Sequence, residues 1–115
     1  MTFHFDSVFY YVSDLDRSIG FYREIFGFPL LSRDAVARFD IDGVLFELAP
    51  LPAGELPRRG GNARLCLCVD NVEAALQELK GKGVVTREAQ EKSNGVLGAL
   101  EDPDGNELCL WQYKQ

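Results

Sequence analysis

The side chains best suited to chemistry in this chain come as a matched pair. Residues 39–50 read FDIDGVLFELAP and residues 101–113 read EDPDGNELCLWQY. Each is a short acidic D-x-D-G turn followed by an alternating apolar strand. With Gly43 set on Gly105, the carboxylate of Glu47 falls opposite the thiol of Cys109. Both groups are metal donors, and Cys66 would complete a set of Glu47, Cys66 and Cys109. Cys66 and Cys68 also look like a metal pair, but small cysteines in an apolar strand read better as core. Nucleophilic chemistry finds less support, because Cys109 or Ser7 would need a base. The single histidine, His4, lies an odd number of residues from Ser7, so a continuous strand aims it at the opposite face. The aspartates and glycine of DPDGN are turn chemistry, with no further run of oxygen ligands to make a calcium loop.

These side chains must be positioned by strands and helices that the pattern places twice. SVFYYV (7–12) is aromatic and β-branched, hence a strand. It leads into a helix capped by Ser13 or Asp14, with Leu15, Ile19, Tyr22 and Phe26 at helical spacing and Gly27 as its C′ residue. FPLLSRD, AVARFDI and VLFELAP read as three strands, the last two joined at Asp42-Gly43. Residues 51–62, dense in proline and glycine, are a linker, and Arg58-Arg59 within it reads as solvated. The order then repeats: strand ARLCLCV, a helix bearing Val72, Ala75, Leu76 and Leu79 and ending at Gly81 or Gly83, and strands VVTREAQ, GVLGALE and NELCLWQY. Agreement in element order, caps and turns makes this a tandem duplication. The expected organisation is one domain over 1–115, with module one at about 1–50 and module two at about 63–115.

A period of two sorts each strand into faces. Val8, Tyr10 and Val12, with Phe46, Leu48, Leu108 and Leu110, should pack under the helices. The mixed faces carry Ser7, Phe9, Tyr11 and Glu47 in one repeat and Arg64, Cys66, Cys109 and Trp111 in the other. They should line a concavity between the repeats. The stripe Phe9, Tyr11, Trp111 and Tyr113 suits either stacking on a flat ligand or packing in a core or dimer seam.

Composition bounds the partners. The net charge of −6 argues against nucleic acid and anionic membrane surfaces. No apolar run approaches membrane-spanning length. MTFHFDS has neither a basic n-region nor a long apolar h-region, so no signal peptide is expected. Three cysteines, two in one strand-like run, are no disulfide framework, and reduced thiols in a cytoplasmic protein are expected.

YYVSDLDRSIGFYREIFGF and DPDGNELCL closely resemble the vicinal oxygen chelate superfamily, which includes glyoxalase I, bleomycin-resistance proteins, fosfomycin-resistance enzymes and extradiol dioxygenases. The resemblance covers the whole chain. It implies an α+β fold of two tandem βαβββ modules forming a curved mixed sheet around a cavity, with helices outside. It also implies a divalent metal held by ligands from both modules. The four matching positions here hold Ser7, Glu47, Arg64 and Cys109, so one ligand, Glu47, survives. A catalytic zinc wants three protein donors, and a permanent cation at Arg64 repels a second one. The resemblance therefore points to a protein with no metal cofactor that binds a small organic molecule, drugs or antibiotics included, as bleomycin-resistance-like members do. In that case Arg64 pairs with Glu47 or grips a ligand anion. Acidity and aromatic lining suit a cationic, ring-bearing ligand, and a homodimer is implied. The competing expectation is a glyoxalase- or dioxygenase-like enzyme with a nonstandard ligand set, Glu47 and Cys109 being the residual donors.

Overall fold

The computed structural model describes residues 1–57 and 63–114. The expected residues Arg58 and Arg59, and the later part of the 51–62 linker, lie outside the described residues. The chain divides into two compact units, Met1–Pro57 and Arg58–Gln115. Among the described residues they hold two helices and nine strands: the first unit follows the βαβββ order, and the second follows it with the first strand after its helix broken into two short segments.

In the first unit β1 (Val8–Val12) leads into α1 (Leu15–Phe26), followed by β2 (Leu30–Arg33), β3 (Ala37–Ile41) and β4 (Val44–Pro50). The sheet order is β1-β4-β3-β2, with β1 parallel to β4 and the other pairs antiparallel. The helix starts where Asp14 accepts from the Arg17 amide at 3.0 Å, and stops at Gly27, whose left-handed φ of 70° a side chain would strain. Tyr22, wholly buried, sits edge-on to Phe46 and tilted against the equally buried Phe39. Rings thus dominate this core, each burying a large apolar area.

In the second unit β5 (Leu65–Cys68), α2 (Val72–Gly81), β6 (Val85–Thr86), β7 (Gln90–Lys92), β8 (Gly95–Glu101) and β9 (Glu107–Tyr113) follow. The sheet order is β5-β9-β8-β6, with β7 also along β8. Asn71 caps α2 by accepting from the Ala74 amide at 2.9 Å. The helix closes at Lys82, and Gly83 takes the positive φ. The core is aliphatic: Val72, Leu76, Leu79, Leu100, Leu108 and Leu110 are buried. Helix and sheet meet closely because β8 has no side chain at Gly98. A Cβ there would lie 2.8 Å from Val72 Cγ1.

Two sequence expectations are corrected. VVTREAQ is not one strand: β6 and β7 are separate segments along β8, and the Arg87 amide donates to the Ala99 carbonyl at 3.0 Å in between. The polar run Arg87-Glu88 has no alternating apolar face to carry a strand through. Nor are Cys66 and Cys68 core: both are exposed, on the sheet face turned away from α2, while Leu65 and Leu67 alternate on the other.

Candidate functional site

In the first unit the helix-distal face gathers Ser7, Phe9, Tyr11, Arg38 and Glu47. The register sets Phe9 and Arg38 on either side of Glu47, one on β1 and one on β3. Ser7 Oγ donates to Glu47 Oε1 at 2.8 Å, and Arg38 Nε reaches Glu47 Oε2 at 2.9 Å. The Glu47 side chain is 17% exposed, so this charge-assisted contact supplies what lost water no longer does. Arg38 also reaches Asp34 at 3.1 Å. The Val36 amide, then the Arg38 guanidinium, hold the Asp34 carboxyl below the usual carboxylate range. Beside this cluster Phe9 and Tyr11 are half exposed and meet edge to face at 5.2 Å. His4 precedes β1, exposed.

Arg38 is the member of this cluster that sequence reasoning missed. Its alternation in AVARFDI puts it on the same face as Glu47 once β3 and β4 pair, but the pairing register is what names the partner. Glu47 and Arg64 each have contacts inside their own unit. Glu47 is met by Ser7 and Arg38, while Arg64 Nη2 lies 3.7 Å from Glu107 and its Nη1 donates to the Ala63 carbonyl at 3.2 Å.

The helix-distal face of the second unit carries Arg64, Cys66, Cys68, Cys109, Trp111 and Tyr113. Cys66 is the register partner of Cys109, and Cys68 that of Trp111. Glu107 is flanked by Arg64 and by Arg87 Nε at 4.0 Å, and Arg87 Nη2 reaches Glu101 at 3.2 Å. Partial burial pushes the Cys66 thiol up, helped by Cys109 and Cys68 nearby. Burial and then Glu107 push Cys109 up, with Arg64 pulling the other way. Trp111 meets Tyr113 edge-on at 5.9 Å. Its ring lies over Gly95, where a Cβ would come 2.4 Å from Trp111 Cζ2.

The donors do not fit the divalent ion that the sequence resemblance implies. Glu47 is already engaged by a guanidinium and a hydroxyl. Cys109 stands beside Arg64, and Ser7 is spent on Glu47. Among the described residues no group of three or more His, Cys, Asp or Glu side chains is placed to hold a metal ion. Among them also, no helix is long and apolar enough to cross a membrane.

Comparison with known proteins places this frame. A family model described as the Glyoxalase/Bleomycin resistance protein/Dioxygenase superfamily matches residues 4–110. A probable lactoylglutathione lyase of Vibrio cholerae serotype O1 is 30% identical over 120 aligned positions, covering 90% of this chain and 86% of the relative. Among solved structures, the fosfomycin resistance protein FosX of Listeria monocytogenes superposes with a TM-score of 0.81 at 15% identity, over 99% of this chain and 96% of the other. TnmS3, an antibiotic binding protein from Streptomyces sp. CB03234, does so with a TM-score of 0.70 at 25% identity, over 99% and 100%. Matched along nearly its whole length and built of tandem βαβββ units, the chain belongs to the glyoxalase/bleomycin resistance/dioxygenase superfamily, the vicinal oxygen chelate proteins.

Proposed function

We propose that this chain is a metal-independent binding protein for a small organic molecule, its two units acting as one domain in a cytoplasmic homodimer. The ligand would lie on the helix-distal sheet faces, against Ser7, Phe9, Tyr11 and Glu47 in one unit and Arg64, Cys66, Cys109 and Trp111 in the other. The observation that carries the reading is the state of Glu47. The one acid retained at an expected ligand position is held by Arg38 and Ser7, which leaves its oxygens poorly placed for a cation. The half-exposed Phe9 and Tyr11, and the Trp111–Tyr113 pair, offer ring surface for an aromatic ligand, cationic ones included. The likeness to an antibiotic binding protein supports drugs and antibiotics as the first class to try.

The test has two arms. Dialysis against Zn, Ni, Mn and Fe in turn, followed by elemental analysis, is expected to leave no stoichiometric divalent metal. A screen of aromatic cations and antibiotics on metal-free protein should shift or quench Trp111 fluorescence. A library that never perturbs Trp111 overturns the binding reading.

A second reading is favoured by the likeness to a probable lactoylglutathione lyase. A metal-dependent lyase or dioxygenase using Glu47 and Cys109 predicts near one ion per chain and activity lost to chelators.

A further inference from the structure

Three thiols share one sheet face in the second unit, and the ladder separates them into a pair and a neighbour. Cys66 and Cys109 are direct register partners on the parallel strands β5 and β9. Neighbouring strands run about 4.7–4.9 Å apart, and residues in register point the same way. A disulfide needs its Cβ atoms at about 3.5–4.5 Å, so a direct bond would have to draw the strands together, and both thiols are free. An ion joined to both sulfurs by thiolate bonds of about 2.3 Å spans about 4.6 Å when the three atoms are in line, which is the spacing of the ladder itself. Cys68 is on the same face but two residues along the strand, about 6.6 Å from Cys66, and its register partner is Trp111.

We propose that Cys66 and Cys109 form a two-coordinate site for a soft monovalent ion of the Cu(I) class, bridging β5 and β9. Two thiolates fall short of the four-donor set that structural zinc demands, and no third donor among the described residues completes one. Soft sulfur donors select Cu(I), whose d¹⁰ shell is content with two ligands in line. Each thiol releases its proton to solvent as its metal–sulfur bond forms, and the ion is neither oxidised nor reduced. The resulting bis-thiolate complex carries one net negative charge. Arg64, which already favours the Cys109 thiolate, lies close enough to offset it. This site goes beyond the organic-ligand reading and does not depend on it.

The test uses the full chain, reduced and free of oxygen, titrated with Cu(I) against bathocuproine disulfonate as competitor. The expected result is one ion per chain, with affinity falling about 100-fold or more in Cys66→Ser and in Cys109→Ser and holding in Cys68→Ser. Equal loss in Cys68→Ser, or wild-type affinity no better than that of Cys66→Ser, overturns the site. If either serine variant fails to fold, alkylation of the wild type decides the matter. Bound Cu(I) should shield Cys66 and Cys109 from iodoacetamide and leave Cys68 labelled, whereas shielding of all three or of none overturns the proposal. Because the ligand screen runs on metal-free protein, failure there and failure here are separate results.

Discussion

The two units use one backbone plan and fill it differently. Where the first buries Tyr22, Phe39 and Phe46, the second buries Leu79, Leu100 and Leu108. Where the first has Ala37 beneath its helix, the second has Gly98, pressed by Val72 and Leu76. On the opposite face the exchange is chemical. The position of Glu47 holds Cys109, that of its partner Arg38 holds Ala99, and that of Ser7 holds Arg64. The second unit still has a paired acid, but it is Glu107, one pleat earlier on the strand, facing Arg64 and Arg87. A duplicated frame can therefore trade donors between positions as long as each half-buried acid keeps a cation inside its own sheet. The position vacated by charge is then available to sulfur.

The two D-x-D-G turns give the sharpest contrast. Between the equivalent pairs Asp40–Leu45 and Glu101–Glu107, residues 41–44 of the first unit face residues 102–106 of the second, one residue more. Asp40 accepts from the Gly43 amide at 3.1 Å, at the surface. Asp102, 5% exposed, accepts from the Asp104 and Asn106 amides and the Asn106 side chain, each at 2.9 Å. Asp102→Ala should therefore cost about 3 kcal/mol in chemical denaturation, and Asp40→Ala less than about 1 kcal/mol. Equal costs would mean that the extra residue has not changed the role of the turn.

Next in size is thiol reactivity, which belongs to the second unit alone. Cys66 and Cys109 have their thiols pushed up from 9.0, so at neutral pH they are almost wholly protonated and poor nucleophiles. Alkylation of Cys109, followed by mass spectrometry, should climb about tenfold per pH unit and still be rising beyond pH 9. A plateau near neutrality would show a thiolate stabilised by Arg64 beyond what burial opposes. In the first unit, Ser7→Ala removes a donor from Glu47 and should cost about 1 kcal/mol. The smallest effects test whether the halves are equivalent where they look alike: Asp14→Ala and Asn71→Ala should each cost about 0.5–1 kcal/mol through the lost cap. A large difference between them would break the symmetry of the strand-to-helix junctions.

The strand-to-helix junctions, the faces of β4 and β9 and the duplication were legible in sequence because caps and a period of two are local signals. Asp14, Gly27 and the buried Phe46, Leu48, Leu108 and Leu110 lie where the spacing puts them. The misses are tertiary. Arg38 became the partner of Glu47 only through the β3–β4 register. Cys66 and Cys68 read as core because a small apolar residue in a strand looks the same on either face until a helix covers one of them. The interruption between β6 and β7 depends on which residues of β8 find a partner, which periodicity does not encode.

Trp111 rests where Gly95 leaves room, with Gln112's carbonyl 2.3 Å from where a Cβ would stand. The two positions are therefore bound in descent as well as in space. A lineage that gains a side chain at 95 must both surrender the indole at 111 and bend the backbone of β9 away. Among relatives these sites should change together, glycine travelling with a large ring and a bulkier residue with a small one.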